Sequence, residues 1–233
     1  MLLYLVKHSR PDIANVAREL SKCMDQANAG AYKELKRVIK FVLDTKSFGL
    51  KIEPIKEKED GLWHIMCYCD SDYAGDPATR KSVSGFIIFL MNVPIMWRSK
   101  SQGCVTLSSS EAEYISLSEA AKEIRFVYQL MRTMSINVKT PIIVRVDNMG
   151  AIFMSENIST SNRSRHVDIR YRFVNDMCVE GFLKIIFVKT NDNVSDGFTK
   201  NVNGDTYNSH IDEFIAEGQE YSALMMDVPL EGY

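Results

Sequence analysis

The sequence predicts an α/β fold in which a mixed β-sheet with helices packed on it follows an N-terminal helical hairpin. Two segments before residue 50, at 11–24 and 32–45, carry apolar residues at the spacing of one helix face. Three strand-like runs follow one another between residues 62 and 97, and strands alternate with helices after residue 109. A meander followed by such alternation is typical of a mixed sheet covered by helices.

The individual elements follow from apolar periodicity and from the residues at their ends. Pro11 suits the first turn of the first helix, and Gly49 ends the second. Charged residues and Pro54 between 53 and 61 predict a linker, so we expect a domain boundary there. The later pattern predicts strands at 64–70, 85–90, 95–97, 142–147 and 183–189, and helices at 109–134, 149–156, 167–180 and 194–200.

Length and composition favour a globular protein with a buried core. Of the 233 residues, 45% are hydrophobic and 25% are charged. No apolar run reaches the roughly 18 residues of a membrane span, and Lys7, His8 and Arg10 follow the first apolar residues too closely for a signal peptide. We therefore expect a soluble intracellular protein with no membrane partner. The five cysteines have neither disulfide nor zinc spacing, so reduced thiols are expected.

Charge is unevenly distributed along the chain. All 28 lysines and arginines lie within residues 1–200, whereas seven of the 30 acidic residues come later, so residues 1–200 carry a net charge of +5. A mildly basic body is compatible with binding a polyanion. Residues 203–233 are expected to form an acidic tail that is solvated or binds a partner.

Four carboxylates stand out against the apolar pattern. Asp70 and Asp147 each close an apolar strand, Glu113 lies on the apolar face of a helix, and Asp196 lies in the first turn of the last helix, where the helix dipole favours an anion. Carboxylates gathered in a half-buried site repel one another and lose hydration, so they stay ionised only where a cation compensates. Because hard oxygen ligands select Mg²⁺ or Mn²⁺, these acids predict metal-assisted chemistry on phosphates.

The expected elements bring these acids toward one region. Ser108 and Glu111 have the spacing of a capping box, which places Glu113 in the second turn of its helix, pointing at the sheet. Asp70 and Asp147 end strands that can be neighbours, and ligand sites form at the carboxyl ends of such strands.

A series of motifs that keep their order along the chain carries a family resemblance. They are YCDSDYAGD at 68–76, RKSVSG at 80–85, WRSKSQ at 97–102, LSSSEAEY at 107–114, VDN at 146–148, RHVDIR at 165–170 and DGFTK at 196–200. With them, residues 62–202 resemble the ribonuclease H domain of copia-type retrotransposon polyproteins. The hairpin, through RPDI at 10–13 and KRVIKFV at 36–42, resembles the end of the preceding reverse transcriptase. The chain lacks the polymerase's Tyr-x-Asp-Asp segment, so we expect no DNA synthesis.

The resemblance implies a helical remnant of the reverse transcriptase connection at 1–52, a ribonuclease H-like domain at 62–202 and the acidic tail at 203–233. The domain is expected to be a mixed five-stranded sheet with helices on both faces. The implied activity is cleavage of the RNA strand of RNA–DNA hybrids by a metal-dependent endoribonuclease with two Mg²⁺ or Mn²⁺ ions.

The same resemblance assigns roles to the acids, since Asp70, Glu113, Asp147 and Asp196 match the metal-binding residues of the family. Asp70 is expected to bridge the two ions. Glu113 and Asp147 are expected to bind the ion at the leaving group, and Asp196 the ion that holds the attacking water.

The RNA–DNA hybrid is the expected partner, and the polymerase portion of the reverse transcriptase is a second candidate. Selecting the RNA strand requires contacts to its 2′-hydroxyl groups, whereas holding the duplex backbone requires basic side chains. The candidates for nucleic-acid contacts are Ser71, Arg80, Lys81, Lys100, Asn148, Arg163, Arg165 and Arg170.

The sequence leaves other interpretations open. A catalytically inactive derivative would keep the fold and bind nucleic acid or a protein. A DNA nuclease or transposase on the same fold would place its acids elsewhere and fits these motifs less well. Taken alone, Asp147-Asn148 also suits a turn, and the basic residues at 163–172 also suit a solvated helix face.

Overall fold

The computed structural model describes residues 1–55, 61–156 and 165–218, except for the side chains of residues 156 and 165–168. The helices are α1 (Leu2–His8), α2 (Ala14–Ser21), α3 (Ala29–Asp44), α4 (Ser109–Thr133), α5 (Met149–Glu156), α6 (Arg165–Val179) and α7 (Gly204–Ile211). The strands are β1 (Phe48–Leu50), β2 (Ile65–Asp72), β3 (Val83–Leu90), β4 (Val93–Ser101), β5 (Ile142–Val146), β6 (Leu183–Phe187) and β7 (Ile215–Glu217). Short 3-10 helices lie at Pro11–Ile13, Thr190–Asp192 and Asp196–Phe198. Across the described ranges, no helix combines the length and the apolar character needed to cross a membrane.

A five-stranded sheet has the strand order β4–β3–β2–β5–β6. β2, β3 and β4 form the antiparallel meander expected from the sequence. β5 pairs in parallel with β2, and β6 pairs in parallel with β5. Parallel neighbours need a crossover connection, and the long helix α4 supplies one between the meander and β5.

One face of the sheet is covered by α4, α5 and α6. Side chains alternate between the two faces along each strand, and Cys67, Phe86 and Val144 point to this one. They pack against Leu117 and Ile124 of α4, which are fully buried. This apolar layer is the main core and holds α4 firmly against β2 and β3.

The opposite face is covered by both ends of the described chain. Ile87 and Phe89 of β3 pack there with Ala14 of α2 and with Phe214, which follows α7. The short strands β1 and β7 also pair in antiparallel fashion, so the two ends meet. Helices therefore cover both faces of a mixed five-stranded sheet, which confirms the predicted fold class.

Residues 203–217 differ from the acidic tail that the sequence suggests. The Asn203 side chain accepts a hydrogen bond from the backbone N–H of Thr206 and caps α7, after which Ile211, Phe214 and Ile215 are buried. The sequence does not predict this packing, because these apolar residues stand among acidic ones and are too few to give a clear periodic pattern. The expected tail from residue 219 onward lies outside the described residues.

The prediction of a helix at 194–200 is wrong, because the structure has only short 3-10 helices here, at Thr190–Asp192 and Asp196–Phe198. Asn193, between them, is fully buried and its Nδ2 donates to the backbone carbonyl of Cys69 at 3.2 Å. Its Oδ1 accepts from Ser195 Oγ at 2.6 Å. Such side-chain bonds to nearby groups compete with helix formation, and Gly197 has a low helix propensity.

Candidate metal centre

Three of the predicted acids meet at one rim of the sheet. Carboxylate oxygens of Asp70, Glu113 and Asp147, one from each, all lie within 4.8 Å of one another. Asp70 and Glu113 are buried, with 1% and 5% of their surfaces exposed, whereas Asp147 is half-buried. The cluster is therefore reached from solvent on the Asp147 side.

Parallel pairing of β2 with β5 brings two of these acids to the same edge. Tyr68 lies opposite Arg145, and Asp70 and Asp147 each follow two residues later in the same direction. The Ser116 hydroxyl on α4 donates to the backbone carbonyl of Asp70 at 2.8 Å. That bond fixes the end of β2 against the helix.

α4 presents Glu113 to the end of β2 from its second turn. The backbone N–H of Glu111 donates to Ser108 Oγ, and the Glu111 carboxylate accepts from the backbone N–H of Leu107, much as the capping-box spacing predicts. Glu113 Oε1 accepts from the backbone N–H of Ser71 at 3.1 Å. Its other oxygen, Oε2, is buried with no hydrogen-bond partner among the described residues.

Asn148 holds the loop that follows Asp147. Its Oδ1 accepts from the backbone N–H of Ala151 at 3.0 Å, at the start of α5, and lies 3.3 Å from Ser110 Oγ, at the start of α4. Gly150 is so close to Ser110 that a Cβ on the glycine would lie 2.4 Å from the hydroxyl oxygen. The two helix starts that flank the acids are thus held together.

Asp196 approaches the cluster on the side of Asp70. Lys200 Nζ lies 3.1 Å from Asp196 Oδ2 and 3.7 Å from Asp70 Oδ2. The Thr199 hydroxyl donates to Asp70 Oδ2. Asp196 Oδ1 is buried and has no hydrogen-bond partner within the described part of the chain. Asp196, the fourth predicted acid, is therefore linked to Asp70 through Lys200 and lies beside the cluster of Asp70, Glu113 and Asp147.

Gly85 lets this last segment lie against the sheet. It is the partner of Asp70 in the β2–β3 register. A Cβ at Gly85 would lie 2.6 Å from Thr199 Cγ2 and 2.8 Å from Phe198 Cβ. A glycine is therefore required at this strand position for Asp196 and Lys200 to reach Asp70.

Burial raises the pKa of three of the four carboxyl groups. The pKa of Glu113 is well above its usual value because of burial and, to a smaller extent, because of the charges of Asp70 and Asp147. Burial and then the charge of Asp70 raise the pKa of Asp196 to about 7, although Lys200 acts in the opposite direction. Burial also raises the pKa of Asp70, against Lys200 and Thr199. The site holds more negative charge than Lys200 alone stabilises.

The donor set fits a hard divalent cation. All of its ligand atoms are carboxylate oxygens, the ligands that Mg²⁺ and Mn²⁺ prefer. Buried oxygens without a partner, such as Glu113 Oε2, are uncommon in proteins, and an ion held by Asp70, Glu113 and Asp147 would supply one. The arrangement can thus bind a cation and present it to a phosphate that arrives on the exposed side.

Two of the predicted nucleic-acid contacts lie beside the acids. Ser71 is buried, and its backbone N–H holds Glu113. Asn148 is half-buried between the starts of α4 and α5. Both residues position the carboxylates as well as being close to where a substrate would bind.

The basic candidates are spread more widely. Arg80 and Lys81 lie in the turn between β2 and β3, with Arg80 exposed and Lys81 half-buried. Lys100 is exposed near the end of β4, and Arg170 is half-buried on α6. The remaining candidates, Arg163 and the side chain of Arg165, lie outside the described residues.

Four residues of the site carry no role in the predictions made from sequence. Thr199 and Lys200 belong to the DGFTK motif at 196–200, so a signal for them was present. Asn193 anchors the last loop to the backbone of β2, and Gln102 Nε2 donates to the backbone carbonyl of Ala112 at 2.9 Å, joining the end of β4 to α4. Gln102 ends the WRSKSQ motif at 97–102, whereas the sequence gives no signal for Asn193, because its role depends on a distant backbone group.

Comparison with known proteins places the chain in a family. No protein-family model matches it. It is 30% identical over 198 residues to the retrovirus-related Pol polyprotein from transposon RE1 of Arabidopsis thaliana, and 31% identical over 203 residues to that from transposon TNT 1-94 of Nicotiana tabacum. Each alignment covers 85% of this chain. The chain belongs to the copia-type, retrovirus-related Pol polyproteins of transposons.

This Pol segment spans only a small part of those relatives, 13% of the RE1 polyprotein and 14% of the TNT 1-94 polyprotein. Among solved structures it is similar to LC11-RNase H1, isolated from compost by a metagenomic approach, with a TM-score of 0.45 and 16% identity over 64% of this chain and 96% of the other. For the complex of LC11-RNase H1 with an RNA/DNA hybrid, the TM-score is 0.42 and the identity 17%, over 58% and 93% of the two chains.

Proposed function

We propose that this Pol segment is a metal-dependent endoribonuclease that cleaves the RNA strand of RNA–DNA hybrids. The observation that carries the proposal is the convergence of Asp70, Glu113 and Asp147 at one rim of the sheet, with oxygens within 4.8 Å of one another. Asp196 stands next to Asp70 in the same region. Membership in the copia-type Pol polyproteins supports the same activity.

The four acids are the residues that would hold divalent ions. When bound, such ions activate a water molecule and stabilise the oxygen that leaves the phosphate, so the protein needs no nucleophile of its own. Asp70 is central to this assignment, because it borders both Glu113 and Asp196. The separate assignments of Glu113 and Asp147 to one ion and of Asp196 to a second remain part of the proposal.

The scaffold would keep these carboxylates in place during the reaction. The backbone of Ser71 holds Glu113, and the Ser116 hydroxyl holds the strand at Asp70. Fixed ligands bind an ion without the cost of reorganising them first. Each bond comes from a rigid element, either β2 or α4.

Selectivity for RNA would come from contacts to the 2′-hydroxyl group near the cleaved bond. Asn148 follows Asp147 in the chain, and because its Oδ1 accepts from the backbone N–H of Ala151, its amide nitrogen is the group of this side chain that can donate to a substrate. We assign that group to the sugar, and Arg80, Lys81 and Lys100 to phosphates along the rim. Arg163, Arg165 and Arg170 complete the proposed phosphate contacts. We also propose that the polymerase portion of the polyprotein is a protein partner of this segment and that the segment acts inside the cell.

Purified full-length chain should be incubated with an end-labelled RNA–DNA hybrid, double-stranded RNA and duplex DNA, in Mg²⁺, in Mn²⁺ and in EDTA. We expect cleavage of the RNA strand of the hybrid alone, and only with a divalent ion. Asp70→Asn should abolish cleavage, whereas Asp192→Asn, at an exposed acid close to Asp196 in the chain, should not.

Tight hybrid binding without cleavage would favour the inactive binding module. Cleavage of duplex DNA would favour a DNA nuclease. Either result would overturn the proposed hydrolysis of hybrids.

A further inference from the structure

The Asp70–Asp196 side of the metal centre already contains a positive charge. Lys200 Nζ lies within 4 Å of a carboxylate oxygen of each acid, 3.1 Å from Asp196 and 3.7 Å from Asp70. Both carboxylates are almost completely buried, with 4% and 2% of their side-chain surfaces exposed. A single ammonium group this close to two buried anions compensates part of their charge.

On the other side of the centre, the described part of the chain provides no counterpart to Lys200. Glu113 Oε1 accepts from a backbone N–H, its Oε2 has no partner among the described residues, and no described lysine or arginine forms an ion pair with Glu113 or Asp147. The two sides of the site therefore differ before any ion binds. Within the described residues, Lys200 provides a cation on the Asp70–Asp196 side, and no lysine or arginine does so for Glu113 and Asp147.

Local structure explains how Lys200 reaches this position. The 3-10 helix Asp196–Phe198 turns the chain, so that Lys200, four residues after Asp196, returns to the same carboxylate. Gly85 admits the segment against β3, and the Thr199 hydroxyl binds Asp70. The lysine side chain is 34% exposed, and its long flexible stem can swing the ammonium into solvent.

We infer that Lys200 acts as a built-in cation that occupies the Asp70–Asp196 side of the centre, and that a divalent ion entering there must displace its ammonium group. This inference rests on the proposed function only in that the acids bind divalent ions. The site then fills in order. The first ion binds at Asp70, Glu113 and Asp147, and a second ion competes with Lys200 and binds more weakly.

The test is a titration of the full-length protein with Mn²⁺, with free Mn²⁺ measured by electron paramagnetic resonance. For wild type we expect one strong site and a second that is at least about tenfold weaker, since the second ion must break a buried charge-assisted contact. Lys200→Gln should tighten the second site by about tenfold or more and leave the first nearly unchanged, because the competing charge is gone. Lys184→Gln, at an exposed lysine of β6, is the matched control and should behave as wild type.

A second measurement needs no substitution, so it serves if Lys200→Gln folds poorly. In protein labelled with ¹³C-lysine, the first equivalent of Mg²⁺ should leave the Lys200 side-chain resonance nearly in place. Higher Mg²⁺ should then shift it toward the position of an exposed lysine. Binding of both ions with no change at Lys200, or equal second-site affinities in wild type and Lys200→Gln, would overturn the inference.

Hybrid cleavage measured on the same preparations separates this inference from the proposed function. Ordered binding of ions without cleavage supports the role of Lys200 and refutes the nuclease. Cleavage with no effect of Lys200 on ion binding refutes only the role of Lys200. Failure of the wild type to bind Mn²⁺ refutes both.

Discussion

The acids of the metal centre differ in the groups that stabilise their negative charge and in their burial. These differences determine how each substitution affects activity and stability. Asp70 accepts from Thr199 and lies near Lys200, Glu113 accepts from the backbone of Ser71, and Asp147 is the most exposed of the cluster. Removing a buried carboxylate changes both charge and packing. Asp147 therefore offers the cleanest test of chemistry at the scale of a single residue.

Asp147→Asn should lower the rate of hybrid cleavage by about a hundredfold or more, because an amide is a much weaker ligand for a hard cation. The fold should remain, since the two side chains have nearly the same size and Asp147 is half-buried. Single-turnover cleavage and circular dichroism are the measurements, with Asp176→Asn on the exposed side of α6 as the control. Full activity of Asp147→Asn would remove this residue from the reaction.

The stability of the metal-free protein should depend on Asp196. Since the pKa of Asp196 is about 7 in the folded state and near 3.8 in the unfolded chain, the folded state binds the proton more tightly. The free energy of unfolding should therefore fall as pH rises from about 4 to about 7, at about 1.4 kcal/mol per unit of pKa shift for this one group. Asp196→Asn should flatten that fall.

Urea denaturation in EDTA at several pH values between 4 and 8 measures this effect, with Asp192→Asn as the matched control. Excess Mg²⁺ should restore stability at high pH in the wild type. Identical pH profiles for wild type and Asp196→Asn would show that Asp196 is not the carboxyl group whose raised pKa makes stability depend on pH.

At the scale of the elements, the site depends on how β3, α4 and the 3-10 helix Asp196–Phe198 approach one another. At Gly85, β3 lies so close to Phe198 and Thr199 that there is no room for a side chain. Gln102 joins the end of β4 to α4, and Ser116 joins α4 to β2. A substitution that separates these elements should therefore move the carboxylates apart even when none of the acids is itself substituted.

Gly85→Ala should weaken binding of Mn²⁺ and lower stability by about 1–3 kcal/mol, the usual cost of overpacking a buried site. The new methyl group would collide with Thr199 and Phe198 and would move Asp196 and Lys200 away from Asp70. Calorimetric titration and chemical denaturation measure the two effects. Gly103→Ala, in a loop where a Cβ meets nothing within 4 Å, is the control and should change neither.

At the scale of the whole molecule, both chain ends support the site. The N-terminal helix α1 is joined to the sheet through Trp97 Nε1, which donates to the carbonyl of Val6 at 2.6 Å. At the other end, the Phe214 ring lies 5.7 Å from that of Phe198, in the 3-10 helix that begins with Asp196. The segments expected to be a remnant and a tail thus cover one face of the sheet.

Phe214→Ala should lower the free energy of unfolding by about 3–5 kcal/mol, because a buried aromatic side chain leaves a large cavity. It should also weaken ion binding at Asp196 through Phe198. Glu213→Ala, at the exposed neighbouring residue, should have little effect on either property. Equal stability of the two variants would show that this C-terminal segment does not support the sheet.

The sequence predicts the sheet and its acids well because each signal is local. Apolar runs mark β2 and β5, a capping box marks the start of α4, and a carboxylate that closes an apolar run or lies on an apolar helix face marks Asp70 or Glu113. The remaining features depend on contacts between distant residues. Asn193 breaks the last predicted helix through a bond to β2, and Lys200 gains its role only beside Asp70.

The most direct test of the central claim is a crystal structure of the full chain grown with Mn²⁺, with the ions located by anomalous scattering. The claim predicts an anomalous peak within about 2.5 Å of carboxylate oxygens of Asp70, Glu113 and Asp147. Mn²⁺ bound only elsewhere, or no bound ion at this rim while the three carboxylates stay together, would contradict it.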